Sequence, residues 1–170
     1  MKEIPLTQGY AALVDDEDYE RVGQYKWRSI LSMPRTDGSV VVYAARWSRR
    51  VGGRRSLQML HRVILGVLQG ATVDHINGNG LDNRRINLRT CTTAENAHNQ
   101  VPQVGGTSAF KGVCWNRAVR KWQAQIKHGG RKKYLGVFAS EQDAAKAYDV
   151  AANKYFGAFA RINFKEAPHE

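Results

Sequence analysis

Residues 60–99 read LHRVILGVLQGATVDHINGNGLDNRRINLRTCTTAENAHN, and the rest of the chain is organised around them. Asp74-His75 is followed at once by Asn77-Gly78-Asn79-Gly80. Gly and Asn tolerate tight-turn geometry, so a strand is expected to end at His75 and double back. Asn87 lies 12 residues beyond His75, and Asn96 a further 9. Thr92 with Glu95 has the form of a capping box, which predicts a helix carrying Asn96 in its first turns. Adjacent strand residues point to opposite faces, so Asp74 and His75 can share a site only if the strand bends or ends there. Asp74 offers the hard anionic oxygen that Mg²⁺ or Mn²⁺ prefers, and Asn96 an uncharged amide oxygen. His75 has the side chain whose ordinary pKa lies nearest neutrality, which suits a general base that activates water. As a set these are the parts of a small metal-dependent phosphodiesterase site. Singly, Asp74 and Asn77 also read as turn residues and Asn87 as a backbone partner.

On Asp74-His75, the Gly/Asn turn, Asn87-Leu88 and Asn96, residues 60–99 resemble the HNH nucleases, most closely their phage homing endonucleases. The resemblance implies a ββα-metal core and hydrolysis of a DNA phosphodiester. One divalent metal, Mg²⁺ or Mn²⁺, would sit on Asp74 and Asn96 at the leaving 3′-oxygen, giving 5′-phosphate and 3′-hydroxyl ends. His75 would activate water, and Asn87 would brace the hairpin and orient the histidine. Relatives often have His where Asn96 stands, so the chain reads His-Asn-Asn and the preferred metal stays open. His61 also recurs in relatives; it touches phosphate, supports the site from behind, or is simply a packed histidine. His98 lies about 200° round a helix from Asn96, off its face.

The chain has 170 residues and a net charge of +11, enough for one ordinary domain or two to three small ones. The absence of an 18-residue apolar run predicts no membrane span. MKEIPLTQGY lacks the apolar core of a secretory signal. Cys91 and Cys114 form neither a metal-ligand pattern nor a disulfide framework, and a cytoplasmic setting is expected. Residues 1–104 hold 14 Lys/Arg and 10 Asp/Glu, whereas residues 105–170 hold 12 and 5. Such a basic chain is expected to meet a polyanion. Arg46, Arg49, Arg50, Arg54, Arg55 and Arg62 follow one another without an intervening acid. They read as a phosphate-contacting ribbon or, blandly, as a solvated loop. Arg84 and Arg85 are further candidates for DNA contact.

Residues 1–59 read as β-rich, with strands at 2–6, 10–14 and 39–47. Asp15 or Asp16 is expected to cap a helix through Tyr19, Val22 and Tyr25. This opening resembles the segment that precedes many phage HNH cores. Residues 100–108 read as a linker. Three strands are expected at 111–115, 121–127 and 132–138, then a helix capped by Ser140 with Asp143 and ended by Gly157. On Phe-Lys-Gly-Val at 110–113, Tyr-Leu-Gly-Val-Phe at 134–138, Ala-Ala-Lys-Ala-Tyr-Asp at 144–149 and Ile-Asn-Phe at 162–164, residues 109–164 resemble the AP2 DNA-binding domain. The resemblance implies a sheet in the major groove, touched by Trp115, Arg117, Lys121, Gln125, Lys127, Lys132 and Tyr134, with Trp122 in the core. Plant members usually have Arg where Cys114 stands, so their base preference does not transfer. Residues 165–170 are a tail. The sequence thus reads as an α+β, site-specific endonuclease for double-stranded DNA, a monomer with a dimer open and no membrane partner. Its rivals are a non-catalytic DNA-binding regulator that keeps the HNH fold, and an RNase.

Overall fold

The computed structural model describes residues 1–33, 40–48, 52–67, 70–100 and 106–164. Arg49, Arg50, the turn at 36–38, most of the linker and the tail lie outside the described residues. The chain is α+β and divides into two compact units, Met1–Asn96 and Ala97–Glu170. The division falls three residues before the expected end of the nuclease core at 99.

The first unit opens with an antiparallel hairpin of β1 (Lys2–Pro5) and β2 (Ala11–Val14). In β2 Ala12 and Val14 are buried while Ala11 and Leu13 are less so, the alternation of a strand with one face on a core. Helix α1 (Asp16–Val22) follows and ends at Gly23, short of Tyr25. Asp15 stands at its N-cap but makes no side-chain cap bond; its Oδ2 accepts from the backbone N–H of Arg85 at 2.7 Å. A three-stranded antiparallel sheet holds β3 (Arg28–Leu31), β4 (Val42–Trp47) and β5 (Leu57–Met59), with β4 central. Helix α2 (Leu60–Leu65) buries Leu60, His61 and Ile64 on one side. The antiparallel pair β6 (Thr72–His75) and β7 (Leu88–Cys91) comes next, then the short helix α3 (Thr93–His98). Ile4, Val14, Val22, Trp27, Leu60, Ile64 and Leu88 share the core of this unit.

The turn after β6 is clamped from two sides. The backbone of Leu13 exchanges bonds with Leu81 and Asn83, both at 2.8 Å. A Cβ on Gly80 would stand 2.5 Å from Val42 O and 2.6 Å from the Tyr43 ring, so only glycine lets the turn lie this close to β4.

The second unit has the antiparallel sheet β8 (Val113–Asn116), β9 (Lys121–His128), β10 (Arg131–Phe138), with β9 central and α4 (Glu141–Phe156) against it. Ala144, Ala145, Tyr148, Ala151 and Ala152 form the buried face of α4 and meet Val113, Ala124 and Ile126. Several of the quoted motif residues are structural ties. Buried Asp149 accepts from the N–H groups of Asn163 and Phe164 at 2.8 and 2.9 Å, and Asn163 Oδ1 accepts from the N–H of Lys111 at 2.7 Å. A Cβ on Gly112 would run into the Tyr148 ring.

Candidate functional site

The β6–β7 turn is laced by amides. Asn79 N–H donates to Asn77 Oδ1 at 2.8 Å, and Leu81 N–H to Asn79 Oδ1 at 3.0 Å. Asn77 Nδ2 donates to Asp82 Oδ2 at 2.9 Å. Asn87 accepts from Asn77 N–H and donates through Nδ2 to Asn77 Oδ1 and to Asp82 O. Both of its amide hydrogens are therefore engaged in bracing the hairpin.

The amide that meets His75 is Asn83, a residue the sequence reading passed over. Asn83 is 1% exposed, and its Nδ2 donates to Gly80 O at 3.4 Å and Leu81 O at 3.0 Å. Both amide hydrogens are thereby placed, so the atom facing the imidazole is an acceptor. His75 Nε2 donates to Asn83 Oδ1 across a long 3.5 Å, which leaves Nδ1 as the lone-pair nitrogen. His75 is 6% exposed. Burial holds it below the usual imidazole range, against the opposite pulls of Asn83, Asp74 and Asp82. The neutral ring can accept a proton.

Strand alternation separates the two neighbours at 74 and 75. Asp74 pairs across the ladder with Arg89, and His75 with Leu88. Asp74 Oδ2 accepts from Arg89 Nε at 2.9 Å and Nη2 at 2.6 Å. Cys91 shares this face and is touched by the backbone N–H of Asn96. Asp74, Arg89 and the start of α3 therefore lie on one side of the hairpin. His75 lies on the other, with the His61 ring edge-on at 5.0 Å and Tyr43 at 5.8 Å. His61 is 8% exposed; burial, then His75 and Arg62, push its pKa down to about 3. Its Nδ1 is buried and meets no hydrogen-bond partner among the described residues. The strand does end at His75, as the turn required, and the charge of Asp74 is still felt there.

Helix α3 starts as its capping box predicts: Thr92 N–H donates to Glu95 Oε2 at 2.7 Å and Glu95 N–H to Thr92 Oγ1 at 3.2 Å. The helix crosses the division at Asn96, and His98, already in the second unit, stacks on Phe156 at 3.7 Å. A carboxylate oxygen and an amide oxygen, the atoms that Asp74 and Asn96 offer, are ligand types that Mg²⁺ or Mn²⁺ prefers. The acids that come together elsewhere, Asp15, Glu17 and Asp18, have their charge met by Arg85 and Arg21.

Several candidate arginines are engaged within the chain. Arg85 pairs with Asp18 and Glu17, and Arg84 with Asp82 in a bidentate pair. The Arg46 guanidinium lies 3.4 Å from the Tyr25 ring centre, and Arg62 donates to Ala71 O. Arg85 and Arg46 are met by an acid and a ring distant in sequence, whereas Arg84 and Arg62 find their partners nearby in the chain. Arg54 and Arg55 are exposed.

In the second unit, Lys127 pairs with Lys132 and Gln125 with Tyr134 across the ladder, on the face away from Ala124 and Ile126. Lys121 shares this outer face, and Tyr134 is 64% exposed. Arg117 is exposed in the turn after β8. Trp115 stands opposite Trp122 and so belongs to the inner face, where the two rings meet edge-on at 5.1 Å. Trp122 packs on the core, as expected.

Residues 59–98 match the family model described as HNH endonuclease. The chain is also similar to the AP2-like ethylene-responsive transcription factors AIL7 and ANT of Arabidopsis thaliana. It is 44% identical to AIL7 over 62 residues and 43% to ANT over 61. Each alignment covers 35% of this chain and 12% or 11% of the relative, so the chain spans about a tenth of the length of these relatives. The AP2-like factor CRL5 of Oryza sativa subsp. japonica is 43% identical over 61 residues, 35% of this chain and 10% of that protein. Together the matches give the chain an arrangement of an HNH endonuclease segment with an AP2 segment.

Proposed function

We propose that the protein is a site-specific DNA endonuclease of the HNH homing type. His75 takes a proton from water through Nδ1, and Asn83 holds the ring through Nε2. Asp74 and Asn96 hold one Mg²⁺ or Mn²⁺; when bound, the ion offsets charge on the scissile phosphate and the leaving oxygen. Asn87 keeps the hairpin closed, and His61 supports the His75 ring from behind. The AP2 unit lengthens the recognised duplex through Lys121, Gln125, Lys127, Lys132 and Tyr134, with Arg117, Arg54 and Arg55 as phosphate contacts. The setting is a phage-encoded mobile element acting as a monomer in bacterial cytoplasm.

The observation that carries this reading is the neutral, buried His75 on an amide-braced hairpin inside the HNH match. The rival, a DNA-binding regulator without cleavage, draws support from Arg89, whose guanidinium already balances Asp74. A nicking assay on supercoiled DNA with Mg²⁺ or Mn²⁺ separates the two. The wild-type chain is expected to nick. His75→Ala should lose at least about two orders of magnitude in rate, the usual scale for a general base, while still binding DNA. Nicking by His75→Ala at the wild-type rate would remove the base, and no nicking by the wild type would favour the regulator.

A further inference from the structure

The outer face of the β8–β9–β10 sheet holds an amide pair that was not among the expected contacts. Cys114 pairs with Gln123 and Asn116 with Lys121, so Asn116 and Gln123 are diagonal neighbours on this face. Asn116 Nδ2 donates to Gln123 Oε1 at 2.8 Å. The two ends of an amide have nearly the same shape, and their hydrogen-bond partners decide which is which. Asn116 Oδ1 accepts from the N–H groups of Ala118 at 3.1 Å and Val119 at 3.4 Å, in the turn that leaves β8. Only an oxygen can accept from both. The Nδ2 end of Asn116 must therefore face Gln123, and the atom it meets there must be Oε1.

Gln123 is left with Nε2 and two hydrogens that have no acceptor among the described residues. Its cross-strand neighbours are Cys114 and Val137, and neither competes strongly for those hydrogens. Gln125, two residues along the same face, has no such tether among the described residues, and its amide can offer an oxygen and an N–H together.

We infer that Gln123, turned by Asn116 so that its Nε2 donor end is presented, selects guanine at one position of the duplex; this rests on the reading of the sheet as a DNA-binding face. In the major groove guanine presents two acceptors, N7 and O6, whereas adenine presents the N7 acceptor beside the N6 donor. A free glutamine suits adenine, because it accepts from N6 and donates to N7. The bond from Asn116 Nδ2 turns Oε1 toward Asn116, so the Nε2 end is the one left to face a base. Nε2 then meets two acceptors on guanine, but on adenine one of its hydrogens faces another hydrogen. Cytosine, which presents only a donor, is disfavoured for the same reason.

The test is binding-site selection by the full chain from duplexes with a randomised core, with EDTA present so that nothing is cleaved. The wild type is expected to enrich guanine over adenine at one position by roughly tenfold. Gln123→Leu should lose that enrichment there and keep the rest of the profile. Asn116→Asp gives the stronger test. Its carboxylate still accepts from Ala118 and Val119, but it can only accept from Gln123 Nε2, so Oε1 turns outward. Enrichment should move to adenine or cytosine, whose amino groups donate. The added negative charge weakens binding to all sequences alike and leaves the order of bases as the readout. An unchanged base profile in Gln123→Leu overturns the inference, and so does guanine preference retained in a folded Asn116→Asp. Lys127→Ala combined with Lys132→Ala shows which reading has failed. If the double variant keeps wild-type affinity and salt slope, the sheet does not meet DNA and both readings fall. If affinity drops while the Gln123→Leu profile stays wild type, only the amide inference falls.

Discussion

Arg89 and His61 are the residues whose environments make the sharpest demands. Arg89 is 15% exposed and lies against Asp74, a buried carboxylate with a bidentate partner. Removing one member of such a pair strands the other charge. Arg89→Met should therefore lose about 3 kcal/mol of stability. If Asp74 binds the divalent ion, Mg²⁺ or Mn²⁺ replaces the missing charge and should raise the melting temperature of Arg89→Met by more than that of the wild type. An equal metal response in both proteins would place the ion elsewhere. His61 titrates at about 3 when folded but near 6.5 when unfolded. Between those values the unfolded chain binds a proton that the folded chain refuses. The contribution of His61 is complete above about pH 6.5 and lost as pH falls, at about 1.4 kcal/mol per pH unit. Denaturant unfolding from pH 7.5 to 5 should show a steeper loss in the wild type than in His61→Phe; parallel curves would mean that His61 is not held neutral. The family resemblance marks His61, but the sequence says nothing of Arg89, whose role depends on which residue stands across the ladder.

Among the elements, the hairpin and its following helix are the unit to which the proposed chemistry is assigned. The capping box at Thr92 fixes where α3 begins, and with it the position of Asn96. Thr92→Ala should cost about 1 kcal/mol. It should also raise the metal concentration needed for half-maximal nicking, because Asn96 rides on the loosened first turn. A metal titration identical to the wild type would uncouple α3 from the site. Both capping boxes were legible because each is a contact between residues three apart. The face of a strand was legible where alternation was clean, as in Lys121–His128, where Ala124 and Ile126 are buried and Lys127 is exposed. It was not legible in β8, whose face is set by its register on β9, which stands Trp115 opposite Trp122, and not by its own four residues. The short elements β3, β5 and α2 carry too few residues to show a period at all.

For the whole molecule, the proposed function divides its tasks between the two units. The nuclease candidates up to Asn96 lie in the first unit, and the outer sheet face lies in the second. Deleting residues 105–170 should leave a metal-dependent nuclease with poor targeting. Those residues carry 12 Lys/Arg against 5 Asp/Glu, so affinity should fall. The slope of log K against log salt should become shallower by about 0.9 for each phosphate that the shortened chain no longer neutralises. Footprinting should show a shorter protected stretch. A truncated chain with the full footprint and the full salt slope would mean that the second unit serves some other partner.

Turn chemistry, capping pairs, the catalytic candidates and the positive charge follow from the sequence by itself, because each depends on residue type and on neighbours a few positions away. Asp74, His75, Asn87 and Asn96 were visible for that reason, and so were the three strands and the helix of the second unit. What those side chains meet was decided by tertiary structure. Arg85 read as a phosphate contact until the fold brought it to Asp18, 67 residues earlier. Asn83 carried no sign of its role until the turn closed over His75. Asn116 and Gln123 became a pair only when β8 and β9 aligned. A local pattern specifies a conformation and a face, but the partner of a charge or an amide is chosen by strand register and packing, and these are settled by the whole chain at once.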